Sequence, residues 1–365
     1  MQYARRGRRS FAALRMTWNI SIDGYKKIIK EHPRMLAWWK DNPSDPDRPR
    51  LDNPDVQRLI SQIAPGSKAC DIGGTMSLNV LLEPAGVVLR VHQPFVTHRR
   101  LLAIQQVRQY LANQGFIVPI ALPWYNAPVF RCGKRWAELE NYLQHNRAAP
   151  NYDSYYWMFG QIGRLHRALA SLDANVPRPL VATYAPPGTL RRWLPVTEAA
   201  VQSDQMAVEV AHLLHDLLNR LSRQWLPASH LPQQLIHGDI RLSNVCQNSE
   251  GKTVYLDFGF LAYRARIHEL AYSLAFMFLA LHANLPPERF AWQTIPQLIQ
   301  EYEAVANSRL TTLERKALAP YTAAVPLYAA ALAGFGNDPT KLLRDRLPFL
   351  RLSEWLLAHP KAISG

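Results

Sequence analysis

The sequence predicts an α+β fold of two lobes, a small antiparallel β-rich lobe over residues 67–142 and a larger α-helical lobe over 143–365. Three observations carry that prediction. Short β-type runs separated by glycine and proline turns crowd residues 69–139. Five long segments with apolar stripes at helical spacing follow between Tyr155 and Leu332. One non-helical interruption, 235–259, breaks that helical half and collects most of the residues suited to chemistry.

Residues 1–16 read as a disordered basic leader, because five arginines fall between Met1 and Arg15 and the unbroken apolar core of a secretory signal is missing. Residues 17–66 read as an extension, with a helix over Ile22–Glu31 and a polar, proline-bearing stretch from Asp41 to Pro54. The β lobe opens with Ala69–Ile72, Ser77–Glu83 and Val87–Val91, alternating with the turns Gly73-Gly74 and Pro84-Ala85-Gly86, the pattern of an antiparallel meander. A helix is expected over His98–Asn113, with Leu101, Leu102, Ile104 and Val107 at helical spacing and a stop near Gly115. Strands at Pro128–Phe130 and Lys134–Leu139 would complete a sheet of about five strands.

The large lobe is expected to hold helices over Tyr155–Ala170, Met206–Trp225, Glu269–Ala283, Trp292–Ala306 and Leu313–Leu332, the last opening on a capping box from Thr311 to Glu314. The run Leu270–Ala283 is shorter than the roughly 20 residues a membrane span needs and reads as a buried helix, so no membrane is expected.

Composition narrows the function classes. With 48% hydrophobic residues over 365 positions the chain can form one large core or two, which argues against overall disorder. Cys70, Cys132 and Cys246 lie far apart with no C-x-x-C pair, so neither a disulfide framework nor a zinc site is expected, and a cytoplasmic setting fits. The formal charge of +14 is spread along the chain without an aromatic-basic module, so nucleic acid is not the expected partner. The same charge disfavours polycationic ligands and favours nucleotides and other anions.

The interruption reads Leu235-Ile236-His237-Gly238-Asp239-Ile240-Arg241-Leu242-Ser243-Asn244-Val245, then Thr253 to Gly259 with Asp257-Phe258-Gly259 at its end. Asn244 and Asp257 lie almost symmetrically about Glu250-Gly251, so a hairpin of 245–247 with 253–256 would return both side chains to one end. A carboxylate with an amide oxygen suits Mg2+, which takes its remaining ligands from water and phosphate. Asp239, on the same loop, can accept the proton of a hydroxyl attacking a γ-phosphoryl group. His237 is grouped with Asp239 in this loop but reads as a structural residue, since Asp239 already fills the role of base.

His237-Gly238-Asp239 through Asn244, followed by Asp257-Phe258-Gly259, resembles the catalytic loop and metal segment of the aminoglycoside phosphotransferase and choline kinase superfamily. Gly160-Gln161-Ile162-Gly163-Arg164-Leu165-His166 resembles its early large-lobe helix, and His268-Glu269-Leu270-Ala271 its acidic-Leu-Ala element. Trp136 to Tyr142 is similar to the hinge strand of homoserine-kinase-like members. The resemblance implies a protein-kinase-like fold with ATP between the lobes, Asp239 as base, and Asn244 and Asp257 as magnesium ligands. It further implies adenine near Glu138, Glu140 and Tyr142, Arg90 on the phosphates, and the loop Gly73-Gly74-Thr75-Met76-Ser77 over them.

Two positions depart from the family pattern. The helix glutamate that would pair with Arg90 is missing, and Gln105 stands in that region as a neutral substitute. Glu269 stands where the family has Asp, and is expected to brace the catalytic loop through backbone N–H groups. The acceptor would be a small-molecule hydroxyl, on an amino alcohol, a homoserine-like amino acid, a sugar or an aminoglycoside. A nucleotide-binding pseudokinase is the alternative. A methyltransferase using S-adenosylmethionine is a distant one, suggested by Asp71-Ile72-Gly73-Gly74.

Overall fold

The computed structural model describes residues 48–74, 76–179, 183–282, 286–336 and 338–363. The expected basic leader, the helix over 22–31 and Thr75 lie outside the described residues.

The small lobe is one sheet of six strands: β1 (Lys68–Asp71), β2 (Leu78–Glu83), β3 (Val87–Val91), β4 (Ala121–Leu122), β5 (Phe130–Cys132) and β6 (Arg135–Asn141). Their order is β1-β2-β3-β6-β4, with β5 also pairing β6. Every pairing in this sheet is antiparallel, so the described residues do not form the parallel βαβ framework that the methyltransferase alternative requires. The sheet has one strand more than expected because β4 is only two residues long, too short to leave an alternation in sequence.

Helix α1 (Pro54–Ile63), capped by Asn53, lies in the stretch expected to be an extension. Its Val56, Leu59 and Ile60 join Leu78, Val80 and Leu82 in one apolar cluster, so residues 54–63 belong to the core of the small lobe. Helix α2 (His98–Asn113), capped by Thr97, buries three polar side chains beside its apolar ones, Arg100, Gln105 and Arg108.

The large lobe contains α3 (Tyr152–Ala170), α4 (Pro187–Ala200), α5 (Gln205–Gln224), α6 (Ile267–His282), α7 (Ile295–Ala306), α8 (Thr312–Ala331), α9 (Pro339–Asp345) and α10 (Leu347–Ala358). Two short ladders interrupt them, β7 (Gln233–Ile236) with β10 (Ala262–Ala265), and β8 (Val245–Gln247) with β9 (Thr253–Tyr255). Helices α4, α9 and α10 were not expected; α4 starts at a proline pair and carries Pro195 inside, which reads locally as a loop. The capping box of α8 is present as expected. One helical stretch among the described residues, Thr312–Phe335, is long and apolar enough to cross a membrane, but it is a core helix, 94% buried over its most apolar window.

Two glycines bring α3 close to α7. A Cβ on Gly163 would stand 2.6 Å from the Tyr302 carbonyl oxygen, and one on Gly160 would meet Glu301. That approach lets His166 reach Tyr302, its Nδ1 lying 3.0 Å from the hydroxyl.

Candidate active site

The loop between β7 and β8 is held from below by a buried carboxylate. Glu269 in the first turn of α6 accepts from His237 N (2.9 Å) and Gly238 N (2.6 Å), the brace expected from sequence. His166 Nε2 lies 3.1 Å from the same carboxylate, which ties the Leu-His helix α3 to the loop. Burial pushes the Glu269 carboxyl up, but His166, the nearby His237 and the Gly238 N–H outweigh it and hold the group below the usual carboxylate range. Gly238 sits at φ +86°, and a Cβ there would stand 2.5 Å from the Phe260 carbonyl oxygen, so only glycine fits.

His237 is fully buried, with Nε2 2.8 Å from the Leu256 carbonyl and Nδ1 accepting from Asp239 N at 3.3 Å. Both ring nitrogens are therefore spent on backbone, and the grouping of His237 with the catalytic residues becomes a structural role. It ties the loop that carries Asp239 to the strand end that carries Asp257.

Asp239 reaches the cleft between the lobes, as do Asp257 and Arg90. One Asp239 oxygen accepts from the Tyr272 hydroxyl (2.6 Å) and the other from Asn244 Nδ2 (3.0 Å), while Arg241 lies against the carboxylate (3.1 Å). Burial is the largest influence and pushes this carboxyl above its ordinary range, with Arg241 and Tyr272 opposing and the Asp257 charge reinforcing.

The β8–β9 register pairs Val245 with Tyr255, and Leu256 N donates to the Asn244 carbonyl at 2.8 Å. Asn244 and Asp257 therefore return to the same end of the hairpin. Asp257 holds a left-handed backbone (φ 55°), a conformation that non-glycine residues sustain where surroundings enforce it. Its side chain remains 43% exposed and receives Arg90 Nη2 at 2.5 Å. Burial would raise the Asp257 carboxyl, but the charge and hydrogen bond of Arg90, with Arg241 beyond it, hold it at about 2, so it is ionised at neutral pH.

The back of the cleft differs from what the sequence led us to expect. Gln105 does not touch Arg90; its Nε2 donates to Glu138 (2.7 Å) and to the Pro128 carbonyl (2.9 Å). Arg108, one turn further along α2, donates to Glu138 (2.5 Å) and Glu140 (2.6 Å). His92 Nε2 completes the set, 3.0 Å from Glu138. The usual polarity is thus reversed, with the helix supplying the cation and strand β6 the acids. Because β3 pairs Arg90 with Glu138, those acids also raise the Arg90 pKa against the effect of burial, together with Asp257.

The same network occupies the acidic side chains of the expected hinge strand. Glu138 and Glu140 are buried and bound to Arg108, so an adenine beside this strand would meet its backbone rather than these carboxylates. Of the named hinge side chains only Tyr142 is exposed, at 40%.

In the turn between β1 and β2, Gly73 and Gly74 have φ of +96° and +108°. A Cβ on Gly74 would meet Asn79 Nδ2 at 2.5 Å and the Ser77 carbonyl at 2.9 Å. Gly74 and Ser77 line the cleft. Arg90 Nε and Gln93 Nε2, on residues that also line it, are buried donors without an acceptor among the described residues. Such donors cost about 1–3 kcal/mol each, a cost that oxygen-rich phosphates would relieve. The residues present therefore fit a nucleotide phosphate chain with a hard cation.

Three residues of the site escaped the sequence reading. Tyr272 and Phe276 follow Glu269 at helical spacing on α6, a periodicity that marks one face turned to the loop. Arg100 donates to the Gly259 (2.7 Å) and Leu261 (2.9 Å) carbonyls and to Pro177 O, fastening α2 to the segment after Asp257. Burial and the like charge of Arg264 lower Arg100 to about 10.

Known proteins share this architecture. A microcompartment-associated aminopropanol kinase superposes with a TM-score of 0.67 at 14% identity, covering 85% of this chain and 99% of that one. An amicoumacin kinase, solved in complex with AMP-PNP and Ca2+, gives 0.60 at 12% identity over 83% and 93%. A choline/ethanolamine kinase family protein from Mesorhizobium loti gives 0.53 at 14% over 85% and 94%. At these identities the likeness establishes a common protein-kinase-like fold. No curated protein matches the sequence significantly. The model of the phosphotransferase enzyme family matches residues 72–306, well over half of the chain. The chain belongs to the phosphotransferase enzyme family.

Proposed function

We propose that this phosphotransferase moves the γ-phosphoryl group of Mg-ATP to a hydroxyl of a small molecule, with Asp239 as general base. The observation that carries the reading is the convergence of Asp239, Asn244 and Asp257 through one loop and one hairpin, with Asp239 and Asp257 opening on the cleft that Arg90 lines. Asn244 and Asp257 would hold Mg2+, which when bound neutralises and orients the phosphates. Arg90 and Gln93 would receive phosphate oxygens on their unpartnered N–H groups. Asp239, oriented by Tyr272 and Asn244, accepts the proton of the acceptor hydroxyl. Binding of AMP-PNP with a divalent cation by a protein of the same fold supports the nucleotide assignment.

Charge in the cleft bears on the acceptor. Among the described residues lining it the carboxylates are Glu138, Asp239 and Asp257. Glu138 is saturated by Arg108, Gln105 and His92, Asp257 serves Arg90 and the metal, and Asp239 faces Arg241. Four arginines, Arg90, Arg100, Arg108 and Arg241, line the same space. An ammonium group would find no free acid there, so the acceptor is an uncharged or anionic alcohol, unlike the amino alcohols named for two of its structural neighbours.

Metal-dependent ADP release with matched acceptors tests both statements. Hydroxy acids or polyols should give kcat/KM on the order of 100-fold above amino alcohols, from repulsion of about 3 kcal/mol at roughly 5 Å and an effective dielectric constant of about 20. Highest turnover with amino alcohols would reverse the charge argument. Binding of Mg-ATP without turnover on any acceptor would leave the non-catalytic alternative in possession.

A further inference from the structure

Asp71 was singled out in the sequence and has no part in the function described so far. It lies just before the glycine turn, and its carboxylate is the centre of a local brace. Gly73 N donates to Asp71 Oδ1 at 2.9 Å. Arg48 Nη2 donates to both Asp71 oxygens at 2.7 and 2.9 Å, and Arg48 Nε donates to the Gly74 carbonyl at 2.6 Å. Arg48 is 6% exposed although it lies on a segment preceding α1, and it precedes the family-matched region, which begins at residue 72.

The brace acts on backbone that would meet the nucleotide. Asn79 Nδ2 holds the Gly73 carbonyl at 2.8 Å, and Arg48 holds that of Gly74. In a planar trans peptide the carbonyl and the following N–H point in opposite directions, so fixing the Gly73 carbonyl fixes the Gly74 N–H. Glycines at positive φ have little conformational preference of their own, so the shape of this turn depends on what holds it. Burial raises the Asp71 carboxyl, but Arg48 and the Gly73 N–H outweigh it and keep it ionised, as a lasting salt bridge requires.

We infer that Arg48 is a positioning residue for nucleotide binding: through Asp71 and the Gly74 carbonyl it sets the glycine turn in the shape that receives the phosphates. The inference rests on the phosphotransferase reading above. It makes residues ahead of the family-matched region part of the nucleotide site, so nucleotide affinity depends on a segment outside residues 72–306.

The test uses the full-length chain and its Arg48→Gln, Arg48→Lys and Asp71→Asn variants, reading KM for Mg-ATP, kcat at saturation and the thermal midpoint without ligand. Arg48→Gln and Asp71→Asn should raise KM for Mg-ATP about 10-fold while kcat stays within about twofold, as expected when one or two charge-assisted bonds to a binding loop are lost. Arg48→Lys, which keeps the charge and one contact, should recover part of the loss. An unchanged KM in Arg48→Gln, with or without a lower ligand-free midpoint, would make Arg48 a structural staple only and overturn the inference. So would an equal fall in kcat with KM unmoved. If the wild-type chain itself takes no Mg-ATP, the phosphotransferase reading falls and the role of Arg48 with it; tight wild-type binding beside an unaffected variant removes the role of Arg48 alone.

Discussion

Asp239→Asn is expected to lower kcat by about 10²- to 10⁴-fold while Mg-ATP affinity stays within a few-fold, the signature of a lost general base. The substitution is nearly isosteric, and an amide oxygen can still accept from Tyr272 or Asn244, so the loop keeps its shape. What disappears is the site for the acceptor proton. In the wild-type chain kcat should rise with pH as Asp239 ionises, through a midpoint above the ordinary carboxylate range, because burial favours the protonated form. Single-turnover measurement of phosphoryl transfer separates this from slow product release. A variant that retains wild-type kcat would take the base assignment away from Asp239 and leave proton transfer to solvent.

Glu269→Ala should cost about 3–5 kcal/mol of folding stability, since each buried donor left without its acceptor costs about 1–3 kcal/mol. The loss strands three donors at once, His237 N, Gly238 N and His166, beside residues that are almost fully buried. Glu269→Gln, which retains one carbonyl oxygen, should lose less. Equilibrium denaturation in urea measures both, and kcat should fall with stability because the same bonds set the height of Asp239 in the cleft. A loss below 1 kcal/mol for the alanine variant would mean that the loop is held by β7 and β8 rather than by this carboxylate.

The two lobes, the meander and the large-lobe helices α3, α5, α6, α7 and α8 were legible because each rests on a local pattern. That Asp239, Asn244 and Asp257 come together was legible for the same reason: one loop and one hairpin carry all three. The brace by Glu269 came from its place in a motif. Contacts set by tertiary register were not legible. Nothing near Gln105 in sequence says that Glu138 lies opposite Arg90 across β3 and β6, which turns an apparently missing helix acid into a helix cation, Arg108, facing strand acids. His166 meets Glu269 across 103 positions, and Arg48 meets Gly74 across 26. Helix α4 was hidden by its prolines, and β4 by its length.

The most direct test of the account is the thermal midpoint of the full-length chain with ATP alone and with Mg-ATP, for the wild type and for Asp257→Ala. A ligand at about 100 times its dissociation constant stabilises by about 2.7 kcal/mol. The wild-type shift with Mg-ATP should exceed that with ATP alone, and in the Asp257→Ala chain that magnesium-dependent increment should be gone, each compared with its own ligand-free midpoint. No shift with either ligand in the wild type, or a magnesium increment that survives the loss of Asp257, would contradict it.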